Sequence, residues 1–166
     1  MLCFRRANGT GETGSIEMNA SPTNILLVED DPNDALLLER AFRRAGVDSP
    51  LSVVSDGDEA VEFLQGTGKY KDRIKYPLPN LMLLDLKLPR RSGHEVLKWL
   101  RSRPGLRRLP VIVLTSSSEP RDIAAAYEEG TNSYLVKPSN AELLGHMVSQ
   151  LEKYWLTLNE GPELSL

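Results

Sequence analysis

Apolar residues in this chain come in short runs separated by amphipathic stretches. Ile25–Val28, Leu51–Val54, Asn80–Leu84, Pro110–Leu114 and Ser133–Val136 are runs of strand length bounded by turn residues. Between them the spacing becomes helical. Ala35, Leu36, Leu38, Phe42 and Ala45 recur at roughly helical intervals, opened by Asp31 as cap and Pro32 in the first turn, and closed by Gly46. Ala60, Val61 and Leu64 share one face of a short helix over Asp58–Gln65. Glu95–Arg101 lies in a third helix. Glu119-Pro120 opens a fourth, which Gly130 closes. Ser139-x-x-Glu142 predicts a capping box for a long last helix. Residues 66–79 form a polar insertion rich in Gly, Lys and Tyr.

Strands alternating with helices imply a parallel sheet with right-handed crossovers. The fold class expected is therefore α/β: a three-layer, doubly wound (βα)5 sheet of order 2-1-3-4-5, flavodoxin-like. The second, third and fourth runs lack polar alternation, which predicts strands buried on both faces.

Residues 1–22 carry Gly9, Gly11 and Gly14 among polar residues without periodicity, and read as a tail. Met18 is an alternative to Met1 as the start. The ordered domain is expected over 23–158, with 159–166 as a C-terminal tail. At 166 residues the chain suits one domain with a sizeable core. A net charge of -3 gives no reason to expect nucleic acid or an anionic membrane as partner. The single cysteine, Cys3, can build neither an internal disulfide nor a metal cage, which fits the cytoplasm. No apolar stretch approaches a membrane span.

The chemistry lies at the strand ends. Parallel strands finish at one edge, where open α/β sheets bind ligands. Glu29-Asp30-Asp31 follows the first strand and Asp85 the third; Thr115 follows the fourth and Lys137-Pro138 the fifth. Clustered carboxylates repel unless a cation joins them, and oxygen ligands in an open site suit Mg²⁺. A carboxylate beside that ion can attack phosphorus, with Lys137 and the Thr115 hydroxyl holding phosphoryl oxygens. Taken singly, each residue has a bland reading: Asp31 a helix cap, Lys137 a solvated surface lysine, Tyr134 strand packing. Their convergence on one edge is what turns the reading towards chemistry.

These residues resemble the receiver domain of bacterial two-component response regulators. The matching segments are Leu26-Leu27-Val28-Glu29-Asp30-Asp31, Leu83-Leu84-Asp85-Leu86-Lys87-Leu88-Pro89, Val113-Leu114-Thr115-Ser116 and Tyr134-Leu135-Val136-Lys137-Pro138. The resemblance implies that Asp85 accepts a phosphoryl group from a sensor histidine kinase. It implies Mg²⁺ held by Asp30, Asp85, Glu29 through water, and the backbone carbonyl of Lys87. Thr115 and Tyr134 match the switch pair, Lys137 the phosphate-contacting lysine, and Lys137-Pro138 becomes a candidate cis bond. The long second loop, the Pro89-Arg90-Arg91-Ser92-Gly93 turn and the Lys153-Tyr154-Trp155 ending are similar to single-domain regulators that serve bacterial phytochromes. Lys87 departs from the pattern, since its side chain stands within reach of the phosphoryl group.

Tyr154, Trp155, Leu156 and Leu158 extend beyond what one small domain covers. Homodimerisation through the last helix region, with Tyr154, Trp155 and Leu158 at the contact, is favoured over a helix end folded back on its own domain. Two rival functions stand beside the phosphoacceptor. One is a Mg²⁺-dependent phosphatase working through an aspartyl phosphate; Lys87 argues against it, because such enzymes carry a second acid there. The other is a receiver-like scaffold independent of phosphorylation; the complete set of site residues argues against that.

Overall fold

The computed structural model describes residues 23–165, so the expected N-terminal tail lies outside the described residues. The chain alternates strands and helices: β1 Ile25–Val28, α1 Pro32–Arg44, β2 Leu51–Val54, α2 Gly57–Gln65, β3 Leu81–Leu84, α3 Gly93–Arg101, β4 Val111–Thr115, α4 Pro120–Glu128, β5 Ser133–Val136 and α5 Ala141–Leu151. All described strand pairs are parallel, and the sheet order is β2-β1-β3-β4-β5, as the alternation predicts.

Strand parity explains the missing polar alternation. In β1 and β3, Ile25, Leu27, Leu81 and Leu83 pack with α1 and α5, while Leu26, Val28, Met82 and Leu84 pack with α2 and α3. Successive side chains point to opposite faces, and here both faces are covered. Each such side chain, once fully buried, contributes about 1.5–3 kcal/mol. A third cluster joins Leu86, Val113 and Ala126 of α4, with Tyr134 half-buried against it.

The second strand departs from the expectation. β2 lies at the sheet edge with β1 as its paired neighbour, and Val53 is exposed. An apolar run reads alike at an edge and at the centre, because position in the sheet is set by topology.

Local chemistry sets the helix ends. Asp31 caps α1 by accepting from Asn33 N at 2.8 Å, with Pro32 just inside. Asp56 caps α2, and Ser92 and Glu95 form a capping box on α3. The cap predicted for the last helix is displaced by one residue. Asn140, not Ser139, is the cap: it is extended and accepts from Leu143 N at 2.8 Å. Asn and Ser cap equally well, so the spacing to Glu142 misleads.

The insertion is not simply a polar loop. Tyr70 is buried, and Phe63, Tyr70 and Tyr76 form an aromatic trio with centroids 4.9–6.2 Å apart. Arg73 donates to Phe63 O at 2.8 Å and Leu64 O at 2.7 Å, carbonyls in the last turn of α2.

At the other end, α5 continues as π-helical turns over Glu152–Leu158. Leu144, Val148 and Leu151 are buried, whereas Leu143 faces solvent. Trp155 and Leu156 pack back against the α1/α5 cluster. Tyr154 and Leu158 remain 54% and 72% exposed. Beyond them, Leu164 lies against the α2/α3 cluster.

Candidate functional site

Register brings the acids together. Val28 and Leu84 are direct partners in β1 and β3, so Glu29 and Asp85 leave the sheet side by side. Backbone bonds extend the ladder past the strands: Asp85 N donates to Val28 O at 3.1 Å and Glu29 N to Val54 O at 3.0 Å. Across the sheet, Thr115 pairs with Val136, and Lys137 N donates to Thr115 O at 2.8 Å. The register thus seats Lys137 at the same edge.

Lys137 Nζ is the hub. It donates to Asp85 Oδ2 at 2.7 Å, Glu29 Oε2 at 2.5 Å and Asp34 Oδ2 at 3.0 Å. Burial works against its charge, but the three carboxylates outweigh that and raise its pKa, so it stays an ammonium. Glu29 is only 3% exposed. Burial pushes its carboxyl above the usual range, against the pull of Lys137. Asp34 is a member of the site that the strand ends do not single out. Its one signal in the sequence is its place in the first turn of α1, which an acidic residue occupies just as often to favour the helix dipole.

The acceptor candidate is held firmly. Asp85 is buried, and its Oδ1 accepts from Lys87 N at 3.0 Å. Gly93, at the start of α3, backs it closely; a Cβ there would stand 2.2 Å from Asp85 O. Only glycine tolerates that approach. The Lys87 side chain is exposed.

Glu29, Asp30 and Asp85 each offer a carboxylate oxygen, all within 4.8 Å of one another. With Asp34, four carboxylates meet one ammonium, an excess of negative charge that fits a hard divalent cation. Thr115 is fully buried and its Oγ1 has no hydrogen-bond partner. Such an unpaired hydroxyl costs about 1–3 kcal/mol, and a ligand oxygen would relieve it.

Tyr134 donates through its hydroxyl to Ser117 O at 3.0 Å, which ties it to the loop after Thr115. The bond Lys137-Pro138 is not cis: no peptide bond among the described residues is. Trans is the intrinsically favoured form even before proline, by about 0.5–1 kcal/mol. His94 bonds Glu129 at 2.6 Å across α3 and α4, away from the acids, as a structural histidine should.

Known proteins resemble this chain over nearly all of the described fold. The response regulator receiver domain family matches residues 25–149. Response regulator Rcp1 of Synechocystis sp. is 42% identical over 135 residues, covering 81% of this chain and 90% of that protein. The crystal structure of the Mn(2+)-bound form of Rcp1 superposes with a TM-score of 0.77 at 41% identity, covering 85% of this chain and 99% of that one. The phosphorylated cyanobacterial phytochrome response regulator RcpA gives a TM-score of 0.79 at 36% identity, with the same coverage of 85% and 99%. The chain therefore belongs to the response regulator receiver domain family of two-component signalling, and is homologous to phytochrome response regulators.

Proposed function

We propose that this receiver accepts a phosphoryl group on Asp85 from the phosphohistidine of a sensor histidine kinase of the phytochrome type. One observation carries the reading: the buried Asp85 carboxylate lies 2.7 Å from Lys137 Nζ, with Glu29 and Asp30 completing a cluster of three carboxylates. A carboxylate oxygen of Asp85 attacks phosphorus; the P–O bond forms as the P–N bond breaks, and the kinase histidine leaves with its nitrogen lone pair. Lys87 N holds the carboxylate in place through Oδ1. Lys137 turns from the carboxylates to the phosphoryl oxygens, and the unpaired Thr115 hydroxyl donates to another.

Glu29, Asp30, Asp85 and the carbonyl of Lys87 are the groups that would hold Mg²⁺. When bound, the ion screens the negative charge of the carboxylate and the incoming phosphoryl group. Drawing Thr115 towards the phosphoryl group would move the loop that carries Ser117, and Tyr134 would follow through its hydroxyl bond. The output surface is then α4, β5 and α5. Dimerisation through the last helix region belongs to this reading, supported by the exposure of Tyr154 and Leu158; Trp155 contributes less because it packs on its own domain. The expected setting is the cytoplasm, which suits a receiver served by a kinase; among the described residues no helix is long and apolar enough to cross a membrane.

Neither rival gains support. Lys87, not an acid, stands two residues after Asp85, against a phosphatase. A phosphorylation-independent scaffold leaves the assembled acids and ammonium without a task. Incubation with Mg²⁺ and acetyl phosphate tests the proposal: the protein should label, and Asp85→Asn should not. Equal labelling of that variant overturns it.

A further inference from the structure

The loop after Asp85, residues 86–92, is braced from outside the acid cluster. Asp56 is buried, and its two oxygens do different work. Oδ1 caps α2 by accepting from Glu59 N at 2.8 Å, and Oδ2 pairs with the guanidinium of Arg90. The next arginine repeats the contact, with Arg91 Nε 2.9 Å from Asp58 Oδ1. Between the ion pairs the backbones touch: a Cβ on Gly57 would stand 2.0 Å from Arg91 O. Arg90 has φ 63°, the one positive value outside glycine among the described residues. A residue keeps that conformation only where its surroundings impose it. At its other end the same loop carries Lys87, whose N–H bonds Asp85 Oδ1, and Gly93 N returns to Leu86 O at 3.0 Å.

We propose that the Asp56–Arg90 pair is a positioning device for Mg²⁺ binding. It anchors the start of α2 to the loop after Asp85 and so sets where the Lys87 carbonyl and the Asp85 carboxylate stand. The residues act through Lys87 and touch neither metal nor phosphoryl group. The inference rests on the reading of Glu29, Asp30, Asp85 and Lys87 as the metal ligands. Partners that orient metal ligands commonly move affinity by about tenfold or more when removed.

The test measures Mg²⁺ affinity by isothermal titration, and the Mg²⁺ dependence of labelling by acetyl phosphate, in the wild-type chain, Asp56→Asn and Arg90→Ala. Asn keeps the helix cap and loses the charge. Both variants should bind Mg²⁺ about tenfold more weakly. The Mg²⁺ needed for half-maximal labelling should rise equally, with the rate at saturating Mg²⁺ kept within about twofold. Arg90→Lys, which keeps the charge, should restore most of the affinity. A fall in thermal midpoint with unchanged Mg²⁺ affinity would reduce the pair to a structural brace and overturn the inference. Wild-type protein that neither binds Mg²⁺ nor labels would instead overturn the underlying ligand assignment.

Discussion

Lys137 Nζ stands 2.7 Å from Asp85 Oδ2, the one ion pair that buried carboxylate makes among the described residues. It also bridges to Glu29, so acids leaving two neighbouring strands share one cation. An acid cluster this tight carries mutual repulsion, so whatever cation joins it stabilises the fold and, in the proposed reaction, also prepares the Asp85 carboxylate.

Lys137→Met should therefore destabilise the protein chiefly when divalent cation is withheld. The expected loss is about 3 kcal/mol, the scale for leaving buried charge without its partner. Added Mg²⁺ should recover much of it, because the ion takes over the compensation. Urea denaturation with and without Mg²⁺ makes the comparison. An equal loss in both conditions would show that Lys137 contributes through packing alone.

Acid sensitivity should centre on Glu59. It accepts from Lys69 Nζ at 2.5 Å, Ser55 N at 2.8 Å, the Tyr70 hydroxyl at 2.8 Å and Ser55 Oγ at 3.0 Å. Burial opposes its charge, but these bonds outweigh burial and hold its pKa at about 2, below the 4.5 of an unperturbed glutamate. A folded-state pKa below the unfolded one means the contribution is fully present above about pH 4.5 and disappears as pH falls towards 2. Glu59→Gln should lower stability at neutral pH and flatten the decline through that window. Urea midpoints across the acid range would read it, and an unchanged slope would count against the network.

Tyr134→Phe removes the bond to Ser117 O and little else. The expected cost is about 0.5–1.5 kcal/mol, ordinary for one hydrogen bond. Labelling of Asp85 should persist, since the Tyr134 hydroxyl bonds Ser117 O and not the Asp85 carboxylate. What should weaken is the response of α4 and β5 to a phosphoryl mimic, read by amide exchange with and without beryllofluoride. Loss of labelling itself would place Tyr134 in the chemistry rather than the switch.

Much of the fold and of the acid cluster is legible in the sequence alone. The strand runs and the acids after them report the sheet and its reactive edge, because a parallel sheet puts every strand end on one side. What stays hidden depends on three-dimensional proximity. Asp34 reaches Lys137 only once α1 packs against the folded sheet beside α5, so its sequence position reads as a helix-dipole residue. Tyr70 and Tyr76 look like loop polarity until they close on Phe63. The exposure of Val53 follows from the edge place of β2, which the expected sheet order implies but the apolar run Leu51–Val54 alone does not. Trp155 and Leu156 pack on their own domain, whereas the apolar residues past the core of the last helix read in sequence as an outward-facing patch.

That packing leaves Tyr154 and Leu158 as the exposed residues of the proposed self-association surface. Leu158→Asp should shift sedimentation of the phosphoryl-mimic form towards monomer with unfolding stability nearly unchanged, because the side chain is 72% exposed. A variant that sediments like the wild type would remove this region from the contact.

The central claim is that Asp85 is the phosphoryl acceptor. After labelling with acetyl phosphate and Mg²⁺, borohydride reduction converts an acyl phosphate to an alcohol, so the modified aspartate becomes homoserine and can be located by peptide mass spectrometry. The account predicts homoserine at position 85, absent when Mg²⁺ is chelated. Homoserine at Asp30 or Asp34 instead, or a label that survives as phosphohistidine at His94 or His146, would contradict it.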